Sequence, residues 1–213
     1  MQVTIIYDND AWLPDLQPDW GFSCLVEGDG QPTILFDTGA DGAILLKNMD
    51  KLDIDPLSVD LVIISHGHFD HAGGLSDFLS LNRDVTVYVP SSWQRVRGAR
   101  EVVPVREGLA IGQGLYSTGE LQAIEHSLVI RTARGNVIIT GCSHPGVDRV
   151  LQASAVWGEP FALIGGLHGF RQFELLQPLS LICPTHCTMY KKELTTMYPG
   201  KCVSGGAGKR IEC

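Results

Sequence analysis

The sequence predicts an α/β fold in which helices cover both faces of two packed sheets, an αββα sandwich formed by one domain over residues 1–213. Short apolar runs typical of strands alternate with helical segments, and the alternation occurs in two successive halves of the chain. Several of these runs end in loops rich in Gly, Pro or His. We therefore expect the loops to lie along one edge of the sandwich, where rigid scaffolds display functional residues.

The first half is predicted to begin with strands and to continue as alternating strands and helices. In the helix expected from about residue 41 to 52, Ile44, Leu45 and Met49 follow a period near 3.6. The other predicted elements of this half are strands Val3–Tyr7, Gly21–Glu27, Thr33–Phe36, Leu61–Ser65 and Val85–Val89, a helix near Gly74–Leu81 and a short helix near Ser92–Arg97.

The second half follows a glycine-punctuated stretch over residues 101–120, in which only short strand-like pieces are expected. It then repeats the pattern of the first half, which is why a second sheet is predicted. Its predicted elements are strands Ile124–Thr132, Asn136–Thr140, Phe161–Ile164, Leu179–Cys183 and Lys209–Cys213, a helix after Pro145 and a helix through Tyr190–Met197.

Residues 66–71 read His-Gly-His-Phe-Asp-His and directly follow a strand-like run. In an extended segment, His66 and His68 project to the same side and can share one metal ion. Asp70 and His71 come after a turn and can reach a second ion nearby. Imidazole and carboxylate together suit zinc, manganese or iron in the divalent state. The motif therefore predicts a metal site at the end of a strand.

Three more of the seven histidines also follow strand-like runs, each in a loop of small or turn-forming residues. We predict that these loops share one site with the motif, because strand ends are where such sites are built. The three are His144, His168 and His186. His126 lies inside a strand-like stretch, and a structural role is expected for it.

A further strand-like run ends at Asp37, which could bind a metal, orient a ligand histidine, or form an ordinary turn or helix cap. The six cysteines are expected to be mostly free thiols in a reducing compartment. Cys142 and Cys187 lie close in sequence to His144 and His186, so they could support the ligands from behind. Packing as small buried thiols is the favoured interpretation.

The composition predicts a cytoplasmic protein that acts on a small molecule. Apolar residues make up 44% and charged residues 19%, enough for a sizeable core. A net charge of −8 argues against binding to nucleic acid, while a phosphorylated small substrate stays compatible with it. No run approaches the roughly 18 apolar residues of a membrane span, and the N-terminal residues lack a secretory pattern.

Three motifs resemble, in the same order, those of the metallo-β-lactamase superfamily. These are Leu35–Gly39, Ser65–His71 and Gly141–His144. More narrowly, the chain resembles the archaeal and bacterial branch named 7,8-dihydropterin-6-methyl-4-(β-D-ribofuranosyl)aminobenzene 5′-phosphate synthase. That resemblance covers nearly the whole chain and rests on Tyr7–Asn9, Asp19–Ser23, Gly141–Val147 and Pro184–Thr188.

The resemblance implies an αββα sandwich of the metallo-β-lactamase type that binds two divalent ions. Zinc is the expected metal, and manganese and iron are the alternatives. It implies His66, His68 and His144 as ligands of one ion, and Asp70, His71 and His186 as ligands of the other, with Asp37 supporting them. Many members also carry an aspartate that bridges both ions. Here the corresponding strand ends in Gly165–His168 without an acid, so His168 is expected either to ligate or, preferably, to act on the substrate.

The implied reaction is hydrolysis, with a metal-bound hydroxide attacking a phosphodiester or ester-type substrate and Asp70 and His168 as catalytic residues. The alternative is a transferase that condenses a dihydropterin-methyl diphosphate with an aminobenzene ribofuranosyl phosphate. For that reaction His168, Glu125 and Asp19 are candidate contacts to the pterin or the amine. A redox function is disfavoured because related flavodiiron proteins place a glutamate where His68 stands. A non-catalytic metal-binding module is the remaining alternative.

Overall fold

The computed structural model describes residues 1–93 and 95–213 and confirms the αββα sandwich. One sheet has the strand order β13-β1-β2-β3-β4-β5-β6, and the other has the order β12-β11-β10-β9-β8-β7. The strands of the first sheet are β1 Gln2–Tyr7, β2 Ser23–Glu27, β3 Ile34–Phe36, β4 Leu61–Ile63, β5 Thr86–Pro90, β6 Glu101–Val105 and β13 Arg210–Glu212. Those of the second are β7 Leu109–Gly112, β8 Leu115–Ser117, β9 Leu128–Thr132, β10 Gly135–Thr140, β11 Pro160–Gly166 and β12 Leu181–Thr185.

The helices lie on the outer faces of the sheets. Helix α1 begins after Asp41, whose carboxylate caps it by accepting hydrogen bonds from the backbone N–H groups of Ala43 and Ile44. The α-helices are α1 Gly42–Lys51, α2 Phe69–Ala72, α3 Leu75–Leu81, α4 Val147–Ala155 and α5 Lys191–Met197, and short 3₁₀ helices span Pro56–Ser58 and Phe173–Leu176.

Three apolar clusters hold these layers together. The central one fills the space between the sheets, with buried side chains such as Ile5 and Ile139 from opposite sides. A second cluster packs α1 and α3 on the first sheet through residues such as Leu45 and Phe78. The third packs α4 on the second sheet, where Val150 is buried. Because each sheet is covered on both faces, its central strands are apolar throughout rather than alternating.

Parallel pairing brings the functional loops to one edge. In the first sheet β3 and β4 run parallel with Phe36 opposite Ile63, so both strands end at the same level. In the second sheet β10, β11 and β12 run parallel, with Thr140 opposite Gly165. The loops that follow these five strands therefore meet at the carboxyl-terminal edge, as the sequence pattern predicts.

Two predicted elements differ from the structure. The strand expected from Ile124 begins only at Leu128, because the preceding residues form a turn that directs Glu125 beneath the site. The helix expected over residues 92–97 includes position 94, which lies outside the described residues, and the described residues on either side of it are not helical. Residues 101–120 contain three short strands, in agreement with the strand-like pieces expected there.

Among the described residues, the helices are too short or too polar to cross a membrane.

Candidate metal centre

Five strand ends deliver the side chains of the candidate site, and their backbone is unusual. Asp37, Ser143, His168 and His186 all adopt positive φ values, between 45° and 58°. Such a conformation is costly for a residue other than glycine and is concentrated at functional sites. These four residues follow β3, β10, β11 and β12 respectively, which is the edge at which the loops meet.

The structure brings all six predicted metal ligands together. The candidate ligand atoms in each of two groups lie within 4.8 Å of one another. One group contains His66, His68 and His144, and the other contains Asp70, His71 and His186. Helix α2 positions the second group, since Asp70 and His71 lie in its single turn and are buried. The rings of His66 and His71 are 4.2 Å apart, so the two groups are adjacent.

Two of the histidines are held by Asp37 and Ser65 behind them. The Nδ1 atom of His71 lies 2.7 Å from Oδ2 of Asp37. The hydroxyl of Ser65 donates to the same Oδ2 atom at 2.8 Å, which leaves its oxygen to accept from Nδ1 of His66 at 2.9 Å. With the proton on Nδ1, the Nε2 atoms of both rings are unprotonated and available to a metal.

Glu125 holds the loop of His144 in the same way. One of its oxygens accepts hydrogen bonds from the backbone N–H groups of residues 141, 142 and 143 at 2.9–3.0 Å. The other accepts from the backbone N–H of His144 at 2.9 Å and from its Nδ1 at 3.0 Å. This single carboxylate therefore shapes the loop and fixes the tautomer of the histidine.

Asn9 completes the pattern at His186. Its side-chain oxygen accepts a hydrogen bond from the backbone N–H of Gly21 at 3.2 Å and lies 2.9 Å from Nδ1 of His186. Its amide donates to the carbonyl of His186 at 3.1 Å, which fixes the orientation of the amide. The carboxylate of Asp8 accepts from the backbone N–H of His186 at 2.8 Å. Four histidines thus present Nε2 towards the site.

The electrostatics favour neutral imidazoles beside an ionised carboxylate. Burial, assisted by neighbouring histidines, lowers the pKa of His66 to about 2 and that of His71 to about 3. Burial alone would raise the pKa of Asp70, but the adjacent His186 and His71 outweigh it and hold this pKa below its usual range. Burial raises the pKa of Asp37 well above its ordinary value, and a divalent cation on the far side of His71 would offset that cost.

The residues fit a divalent metal. Nε2 of His186 is buried without a hydrogen-bond partner, although Oδ2 of Asp70 lies only 3.2 Å away. A buried ring nitrogen without a partner is rare in folded proteins, and a bound cation would satisfy it. The same Oδ2 atom accepts a hydrogen bond from the indole N–H of Trp20 at 2.9 Å, and the ring of Trp20 lies against His186. Imidazole nitrogens with one carboxylate form a donor set typical of zinc.

Two thiols and one more histidine border these groups. Sγ of Cys142 lies 3.1 Å from Nε2 of His71 and 3.3 Å from Sγ of Cys187. The hydrogen bond with Cys187, together with burial, raises the pKa of the Cys142 thiol, a direction that a bound cation reverses. His168 is exposed, with its ring 4.7 Å from that of His144 at the mouth of the site.

Glu125 and Asp19, two of the residues predicted to contact the pterin or the amine, are both engaged in hydrogen bonds within the protein. Glu125 was a candidate contact to a pterin or amine, and this is wrong, because its side chain is 1% exposed and its oxygens are occupied by the 141–144 loop. Asp19 accepts a hydrogen bond from the hydroxyl of Tyr7 at 2.5 Å. His126 is buried outside the clusters and bonds Ser117 and the carbonyl of Ile64, in line with the structural role expected for it.

The supporting residues Glu125, Asn9 and Trp20 were not predicted to orient ligands. The sequence offered a weak signal for Glu125, an acidic side chain within a stretch that was predicted as a strand. Asn9 and Trp20 carry no such signal, because their partners His186 and Asp70 lie far along the chain.

The family comparison agrees with this geometry. The model of the metallo-β-lactamase superfamily matches residues 18–169, so the chain belongs to this superfamily. The matched segment includes the His-Gly-His-Phe-Asp-His motif and the loops of His144 and His168.

Individual relatives differ in the activity that they are named for. The chain is 26% identical, over an alignment of 253 positions including gaps, to the 7,8-dihydropterin-6-methyl-4-(β-D-ribofuranosyl)-aminobenzene-5′-phosphate synthase of Methanocaldococcus jannaschii, covering 88% of this chain and 85% of that one. Among solved structures, Tm1679, a metal-dependent hydrolase of the β-lactamase superfamily, has a TM-score of 0.83 and 25% identity, covering 100% of this chain and 99% of that one. Zn²⁺-bound PqqB from Methylobacterium extorquens shares the fold, with a TM-score of 0.65, 13% identity and full coverage of both chains.

Proposed function

We propose that this protein is a metal-dependent hydrolase of a phosphodiester or ester-type bond in a small, phosphorylated molecule, and that it binds two divalent ions, preferably zinc. The observation that carries the proposal is the set of four histidines whose Nδ1 atoms are each held by an acceptor, which leaves Nε2 unprotonated and facing a common centre. The proposed ligands are His66, His68 and His144 for one ion, and Asp70, His71 and His186 for the other. When bound, such ions polarise the scissile group and activate a water molecule.

The chain's own residues divide the remaining work. Asp70 stays ionised, because its pKa is held below the usual range, so it is better suited to ligation than to accepting a proton. His168 lies at the mouth of the site beside His144, and its partial burial together with that neighbouring ring lowers its pKa below the ordinary value, which favours a neutral imidazole at pH 7. A neutral imidazole at the mouth of the site can exchange a proton with the substrate or its leaving group.

The test compares two exposed histidines. His68→Gln removes a ligand without disturbing the core, and we expect it to lose both metal and turnover of a model phosphodiester. His168→Gln should keep the metal and lose most of the turnover. Asp29→Asn, in an exposed turn far from the site, serves as the control and should change neither. Full turnover in the His68→Gln variant, or metal loss in the His168→Gln variant, would contradict these assignments.

The transferase is the second candidate, and the similarity to the methanogen synthase along 88% of the chain favours it. In this reaction the amine nitrogen would form a bond to the pterin methylene, the bond from that carbon to the diphosphate oxygen would break, and the amine would lose a proton. Incubation with a dihydropterin-methyl diphosphate and the aminobenzene ribofuranosyl phosphate distinguishes the two. A condensation product without phosphodiester cleavage would replace the hydrolase proposal, and cleavage without condensation would support it.

A further inference from the structure

Two thiols lie inside the candidate metal centre rather than beneath it. Cys142 lies two residues before His144, and Cys187 directly follows His186. Both are buried, and their sulfur atoms are 3.3 Å apart. The remaining cysteines, including the buried Cys183, do not belong to the metal-ligand groups found among the described residues.

The sulfur of Cys142 is adjacent to both proposed ligand groups. It lies within 4.8 Å of ligand atoms of His66 and His144 from the first group, and of His71 and His186 from the second. Its distance to Nε2 of His71, the atom expected to face the metal, is 3.1 Å. Atoms that bind one ion are separated by about this distance, since each lies roughly 2.0–2.3 Å from the metal.

No side chain fits at Gly165 and Gly166, the two glycines that end β11. A Cβ atom on Gly166 would lie 2.6 Å from Sγ of Cys187 and 2.5 Å from the carbonyl oxygen of Gly141. A Cβ on Gly165 would meet the carbonyl of Thr140 at a still shorter distance. The cysteine loops therefore occupy the space that an aspartate would need.

The charge balance also leaves room for an anionic ligand. Within the described residues, Asp70 is the one carboxylate in the metal-ligand groups. Asp37 and Glu125 face Nδ1 atoms on the outer side of the histidines. Two divalent ions bound here would therefore carry four positive charges, of which a ligand carboxylate would neutralise only one. A thiolate is a strong ligand for zinc and supplies the missing negative charge.

We propose that Cys142 binds the metal as a thiolate and takes the place of the absent carboxylate between the two ligand groups. Its S–H proton is released to solvent when the ion binds. Cys187 donates a hydrogen bond to the sulfur of Cys142. This inference rests on the proposed metal site, and it assigns one further ligand to it.

The experiment is X-ray absorption at the zinc edge of the loaded protein, with metal content measured on the same samples. We expect a sulfur shell at about 2.3 Å beside nitrogen and oxygen at about 2.0–2.1 Å. The shell should disappear in Cys142→Ser and persist in Cys187→Ser and in the buried control Cys183→Ser. Cobalt-loaded wild type should show a thiolate-to-metal charge-transfer band that Cys142→Ser lacks. If Cys142→Ser does not fold, a sulfur shell retained in the other two variants supports the assignment.

Three results would overturn the inference. Zinc bound by nitrogen and oxygen alone rejects the thiolate and leaves the proposed function intact. A sulfur shell that persists in Cys142→Ser and disappears in Cys187→Ser would show that Cys187, not Cys142, is the ligand. A Cys142–Cys187 disulfide in the active, metal-loaded protein, seen as the loss of two hydrogens in mass, would also exclude a thiolate ligand. Absence of any metal after loading would instead defeat the proposed function itself.

Discussion

Replacement of Glu125 by Gln tests how far the site depends on one buried carboxylate. In the wild type, one carboxylate oxygen accepts hydrogen bonds from the backbone N–H groups of residues 141–143, and the other accepts from the backbone N–H and the Nδ1 of His144. The carbonyl oxygen of glutamine can still accept the hydrogen bonds from the 141–143 backbone. Its NH₂ group, however, then faces the backbone N–H and the Nδ1–H of His144, which are themselves donors. Burial would raise the pKa of Glu125, yet His144 and the other nearby histidines lower it, so a charged acceptor is lost.

The expected magnitude follows from those two hydrogen bonds. A hydrogen bond to a charged group contributes about 1.5–3 kcal/mol, so the loss of both costs about 3 kcal/mol or more in the free energy of unfolding. His144 can relieve part of this by moving its proton to Nε2, but Nε2 is then blocked as a ligand. Loss of such a supporting partner typically lowers metal affinity about 10- to 100-fold.

Urea denaturation of the chelated protein measures the first effect, and zinc competition with a chromogenic chelator measures the second. Glu107→Gln, which changes an exposed carboxylate, is the matched control and should alter neither. If Glu125→Gln had the wild-type unfolding midpoint and the wild-type zinc affinity, the role assigned to this carboxylate would be refuted.

Three other predictions concern a support of this centre, a buried histidine outside it, and stabilisation by zinc. Trp20→Phe removes the hydrogen bond to Asp70 and should lower zinc affinity about 10-fold in a competition assay, whereas Trp12→Phe, at a similarly exposed tryptophan, should not. Burial lowers the pKa of His126 to about 4. The metal-free fold should therefore lose about 3 kcal/mol of stability from this group as pH falls from about 6.5 to 4, because only the unfolded chain takes up the proton there. His126→Gln should reduce that pH slope in urea titrations, and an unchanged slope would contradict the shift. Zinc at a hundredfold excess over its dissociation constant should stabilise the wild type by about 2.7 kcal/mol for each ion bound in thermal denaturation, and should stabilise His68→Gln less.

The residues of the candidate metal centre could be predicted from the sequence, because their loops follow apolar runs and parallel strands end at one edge. Their supports could not be predicted in this way. Asn9 reaches His186 only because β1 and β12 bring the two ends of the chain together, and no local pattern encodes that contact. The turn before Leu128 was predicted as strand because its apolar residues fit one, but burial of Glu125 beneath the loop overrides that preference.

Metal content per chain, measured by elemental analysis of protein purified without added metal or chelator, tests the central claim most directly. We expect about two equivalents of divalent metal, mostly zinc, in the wild type and a clear reduction in His68→Gln. A wild-type protein that contains no metal and takes up none on loading would contradict it, because the converging Nε2 atoms would then have no ion to bind.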